Sequence, residues 1–90
     1  MLFAWIGFLK SADPIAQDVQ LQISNFLQQP YIPFHSAGLL CNAEGERSGY
    51  LAVFEAQDRA AAEALVHESP LRAAGLYREY HLFEYRNEVG

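Results

Sequence analysis

The stretch from Leu76 to Tyr85 constrains the fold more than any other part of this chain. A strand with one face in water alternates apolar and polar residues. On strict alternation Leu76, Tyr80 and Leu82 share one face with Arg78 and Glu84. Tyr77, Phe83 and Tyr85 then share the other with Glu79 and His81. Large apolar side chains stand on both faces, so both need a cover. Only two segments can form sizeable helices, and two helices cover one face of a small sheet. A second copy of the chain is the expected cover for the other.

Length and composition point the same way. Ninety residues make a single domain, 1–90, and a domain this short buries only about 60–65% of its unfolded surface. Disulfides cannot help, because Cys41 is the only cysteine. No His/Cys spacing suits a structural metal, and no cofactor fingerprint is present. Yet 51% of the residues are apolar, more than a two-helix monomer hides easily. A homodimer is the remaining staple.

The net charge is −5, and without a basic run there is no footprint for nucleic acid. Met1 to Leu9 is apolar but has no positive leader and no small-residue cleavage site, and it is too short to cross a bilayer. It reads as a buried first strand, with no membrane partner and a cytoplasmic location expected.

The remaining elements follow in order. Asp13 and Pro14 signal a helix start, and Ile15, Val19, Ile23, Phe26 and Leu27 form its apolar stripe as far as Pro30. Pro33 keeps the chain extended before a strand at 34–41. A polar, glycine-bearing loop at 42–49 suits a hairpin, leading to a strand from Tyr50 to Glu55. Asp58 caps an alanine-rich second helix ended by Ser69-Pro70, and Leu71 to Gly75 form a turn or helical fragment before the last strand. The order β-α-β-β-α-β is the ferredoxin-like arrangement: an α+β fold with a four-stranded antiparallel sheet and both helices on one face.

Four places in this order are similar to the YciI-like family (YCII-related domain) of dimeric α/β-barrel proteins. They are the apolar strand beginning near Met1, Ala37-Gly38 late in the second strand, Phe54-Glu55-Ala56 leading into Asp58-Arg59-Ala60-Ala61, and Ser69-Pro70-Leu71-Arg72-Ala73-Ala74-Gly75-Leu76-Tyr77. The last resembles the family's Asp-Pro-(aromatic)-x-x-Ala-Gly segment. The resemblance implies a dimeric α/β barrel with a cleft near the dimer interface. It also implies a dyad of a first-helix histidine and the aspartate before the proline. Residues 14–29 contain no histidine, Ser69 stands at the aspartate position, and Leu39 replaces the proline that usually follows Ala-Gly. The fold and dimer therefore carry over, and the dyad does not.

Candidate site residues come from the strands and from the Ser69 segment. Glu79 and His81, two apart on one strand, point the same way, so the carboxylate can orient the imidazole for acid–base work; an inter-subunit polar network is the plainer alternative. His35 is a second candidate base, or a half-buried histidine paired to backbone. Ser69, Arg72, Tyr77 and Ser36 are candidate ligand contacts. Trp5 and the tyrosines could wall a ligand or simply pack. His67 suits a helix C-terminus, and Cys41 reads as inert packing. The expectation is one pocket near the dimer interface, lined by Tyr77, Glu79 and His81 and approached by His35. It would bind a small organic ligand without a cofactor. The alternative is an isomerase, lyase or hydrolase type of enzyme using the histidine/carboxylate pair, and whether the chain is an enzyme stays open.

Overall fold

The computed structural model describes residues 1–30 and 33–89. The extended stretch expected after Pro30 includes Tyr31 and Ile32, which lie outside the described residues. The elements are β1 (Leu2–Leu9), α1 (Gln17–Leu27), β2 (Phe34–Cys41), β3 (Arg47–Glu55), α2 (Arg59–His67), the short α3 (Pro70–Ala73) and β4 (Tyr77–Tyr85). The strands form one sheet in the order β2-β3-β1-β4, with every neighbouring pair antiparallel. This is the ferredoxin-like order expected. No helix among the described residues is long and apolar enough to cross a membrane.

Pairing of β1 with β3 sets Phe3 opposite Phe54, Trp5 opposite Ala52 and Gly7 opposite Tyr50. These residues form the helix-facing side, where Phe3, Trp5, Ala52 and Phe54 pack with Phe26 of α1 and with Ala62 and Val66 of α2. Phe34 joins through edge-on contacts to both Phe26 and Phe54, with ring centroids 6.1 and 6.0 Å apart. Ala62 and Val66 form the buried face of α2, Leu65 is partly buried beside the core, and Ala61 is exposed.

α1 departs from expectation at its start. It begins after Ala16, whose backbone is extended and gives no side-chain cap, rather than at Asp13-Pro14. The extended entry drives Ile15 into a second cluster with Leu9 and Leu71. Burying an isoleucine is worth about 1.5–3 kcal/mol and a cap about 1, so burial wins. By contrast α2 starts as expected, with Asp58 accepting from the Ala61 amide at 2.8 Å.

The hairpin is tighter than expected because the Asn42 side chain accepts from the Glu44 and Glu46 amides at 3.0 and 2.9 Å. That frees Arg47 to Gly49 to extend β3.

The largest correction falls on β4. Its register against β1 shifts between Phe8 and Leu9: Phe8 faces Glu79, whereas Leu9 faces Tyr77. One extra residue in a strand turns the side chains beyond it to the other face. Tyr77, Tyr80 and Leu82 therefore share the helix side. Glu79, His81, Phe83 and Tyr85 share the open side with Leu2, Ala4, Ile6 and Phe8. Tyr77 does not share a face with Glu79 and His81.

Candidate functional site

On the helix side, a cavity of about 140 Å³ lies between the sheet, α1 and α3. Its walls follow from the register. Trp5 comes from the centre of β1, Tyr50 and Ala52 from β3, and Tyr77 from the start of β4; Phe26 and Ile23 close it from α1 and Leu71 from α3. Leu27 and Leu39, both exposed, stand at its rim.

Tyr77 reaches this space because the sequence makes room for it. A Cβ on Gly7 would collide with the Tyr77 ring, so only glycine suits the β1 position beneath it. Gly75, at φ +70°, is in the left-handed region that glycine adopts at least cost and turns the chain from α3 into β4. The Tyr77 ring meets Trp5 edge-on, with centroids 6.0 Å apart at 67°, and tilts against Tyr80 at 5.8 Å.

Besides the Tyr50 hydroxyl, three polar groups punctuate the apolar wall. Ser69 is 1% exposed and makes no side-chain cap at α3, leaving its hydroxyl to the Tyr77 phenol. Burial pushes that phenol well above the usual tyrosine range, while the Ser69 hydroxyl, as a hydrogen-bond partner, pulls the other way. The Trp5 indole N–H is buried and has no hydrogen-bond partner among the described residues. A buried donor without a partner costs about 1–3 kcal/mol, and such a group in a native wall asks for an explanation.

The expected site residues divide between two places. Ser69 and Tyr77 line the cavity. Glu79 and His81 do meet, with the imidazole Nε2 2.9 Å from a carboxylate oxygen, but on the open sheet face and about half exposed. His81 stacks on Phe83 at 6.1 Å. Arg78 approaches Glu79 at 3.6 Å and lies over the Phe8 ring. His35 stands at the β2 edge with its ring 3.9 Å from Glu55, a carboxyl held below its usual range chiefly by the Met1 ammonium bonded to it. Ser36 pairs opposite Val53 on the outer strand. Arg72 is exposed and donates to the Tyr80 hydroxyl and the His67 carbonyl, each at 3.4 Å. The single pocket expected from alternation is thus an apolar cavity, open at its Leu27 and Leu39 rim, on one side and a polar cluster on the other.

Sequence reasoning weighed Trp5 mainly as packing and missed the cavity it walls. The available signal was the adjacent pair Arg78-Glu79, two charges in succession where a regular strand would alternate.

The geometry defines a ferredoxin-like β-α-β-β-α-β fold, and solved structures share it. A 5-chloro-2-hydroxyhydroquinone dehydrochlorinase (TftG) from Burkholderia phenoliruptrix AC1100, in complex with 2,5-dihydroxybenzoquinone, matches with a TM-score of 0.72 at 17% identity, over 98% of this chain and 96% of that one. A putative antibiotic biosynthesis monooxygenase from Chloroflexus aurantiacus J-10-fl matches at 0.54 and 12% identity, over 100% and 98% of the two chains. SnoaB, a cofactor-independent oxygenase from Streptomyces nogalater, matches at 0.52 and 18%, over 98% and 94%. At these identities the likeness is one of fold. No protein-family model matches the sequence, and no curated protein does.

Proposed function

We propose that this chain is a small-molecule-binding protein that takes one aromatic ring into the Trp5–Tyr77 cavity of each protomer of a homodimer. The observation that carries this reading is the cavity wall itself: apolar and aromatic, with a buried indole N–H that nothing among the described residues satisfies. A ligand acceptor would supply the missing partner. The size suits a single ring, since an apolar cavity of about 150 Å³ takes up benzene. The dehydrochlorinase of the same fold was solved with a one-ring quinone.

Binding is favoured over catalysis because no described residue lining the cavity is a histidine or carboxylate that could activate Ser69 or take a proton. The resemblance to the YciI-like family belongs to this reading. The segment that carries it supplies the cavity with Ser69, Pro70, Leu71 and Tyr77, and a serine at the aspartate position suits a binder. Dimerisation through the open sheet face and residence in the cytoplasm complete the proposal.

One observation favours a second reading, an acid–base enzyme: the 2.9 Å contact between Glu79 and His81. In that reading a second protomer closes a cleft over the pair, with His35 as an additional base.

Trp5 is the only tryptophan, so its fluorescence reports on the cavity directly. Titration with hydroquinone should quench it saturably, with one site per protomer. Ala37→Phe, which fills the cavity from β2, should abolish the saturable part. Quenching that never saturates, or that Ala37→Phe leaves unchanged, would remove the cavity from consideration.

A further inference from the structure

We propose that the cavity admits its ring ligand only in the uncharged state, selecting neutral phenols, quinones and amides against carboxylates and phenolates of the same shape. This deepens the ring-binding reading and rests on it.

The first support is the charge inventory of the wall. No described residue lining the cavity is an Asp, Glu, Lys, Arg or His. β1, β3, β4 and α3 contribute the polar groups of Trp5, Tyr50, Tyr77 and Ser69, all neutral, and α1 and β2 contribute only apolar surface. The two cations adjacent to lining residues along the chain are engaged elsewhere: Arg72 with the Tyr80 hydroxyl and the His67 carbonyl, and Arg78 with Glu79 and the Phe8 ring on the open face. An anion entering the cavity would lose its water and find no counter-charge, the costliest form of burial.

The second support is that neither helix brings a charged side chain to the cavity: α1 contributes Ile23, Phe26 and Leu27, and α3 contributes Pro70 and Leu71.

The third support comes from the cavity's own phenol. Burial holds Tyr77 protonated well above the usual tyrosine range, with Ser69 beside it. The Ser69 and Tyr77 hydroxyls and the Trp5 N–H can hydrogen-bond a ligand oxygen, but they have not made an anion comfortable at Tyr77. A phenolic ligand beside Tyr77 meets the same medium.

Calorimetric titration of the wild-type chain with benzamide, hydroquinone and benzoate at neutral pH tests this. Benzamide and benzoate share a shape and differ in charge. Benzoate should bind at least about a hundredfold more weakly. A phenol that ionises near neutrality, 4-nitrophenol, gives a second measurement. Its affinity should hold below its own ionisation and fall about tenfold per pH unit above it, as expected when only the neutral form binds. The bound dye should keep the absorbance of the neutral phenol where the free dye has become phenolate. Benzoate within about threefold of benzamide, or nitrophenolate bound as tightly as nitrophenol, overturns the selectivity and leaves ring binding standing. If neither benzamide nor hydroquinone binds, the ring-binding reading fails and this inference falls with it.

Discussion

At the residue scale, two positions around the cavity decide whether it exists. Gly7 is where the Tyr77 ring lies against β1, so a methyl group there must push the ring aside. Gly7→Ala should cost about 1–3 kcal/mol, the usual range for overpacking, and should shift Trp5 fluorescence because the two rings touch. Urea denaturation followed by that fluorescence measures both; a variant as stable as wild type would mean the ring has another place to go. Tyr77 itself gives a pH signature. Its pKa is raised by burial, so above the ordinary tyrosine value of about 10 the folded chain holds a proton that the unfolded chain releases. The stability linked to this proton is complete below about pH 10 and is lost as the pH rises beyond it. Tyr77→Phe has no proton to release and should flatten the alkaline fall in urea midpoint between about pH 10 and 11. An equal fall in both proteins would assign it to other groups.

At the level of elements, the strands and helices were legible where local chemistry and burial agree. Asp58 was read as a cap and is one; Asp58→Ala should cost about 1 kcal/mol in thermal or urea unfolding, and no loss would mean that α2 is held by packing alone. The start of α1 was misread because a good cap signal at Asp13-Pro14 competes with the burial of Ile15, which no local pattern announces. Phe26 was read as one residue of the α1 stripe and is the buried residue of that helix, so Phe26→Ala should cost about 3–5 kcal/mol; a loss below about 1 kcal/mol would contradict its burial. The bulge in β4 had the widest consequence. Strict alternation from Leu76 put Tyr77 with Glu79 and His81, and one extra residue moved it to the other side of the sheet. Element type survives such an error, because strand propensity is spread over many residues. The composition of a site does not, because it depends on the parity of one.

For the whole molecule, the question is what covers the open sheet face. The apolar content of both strand faces was visible in the sequence, and its helix-facing half is accounted for by Phe3, Trp5, Ala52 and Phe54 under the helices. The other half stays in water in a single chain: Phe83 is 54% and Tyr85 40% exposed, beside the partly covered Leu2, Ile6, Phe8, Leu51 and Val53. Contiguous apolar surface of this kind marks an interface, and a sheet face meeting its own copy about a two-fold axis satisfies both copies at once. Glu79, His81 and Arg78 along the same face add polar contacts that could fix the register of the pairing. In the proposed dimer Phe83→Asp places an unpaired carboxylate on the buried face and should leave a monomer at micromolar concentration, as read by sedimentation velocity. The helix-side cavity lies on the opposite side of the sheet, so a folded Phe83→Asp monomer should still quench with hydroquinone. A wild-type chain that sediments as a stable monomer would remove the dimer from the proposal. A dimer indifferent to Phe83→Asp would move the interface away from this face.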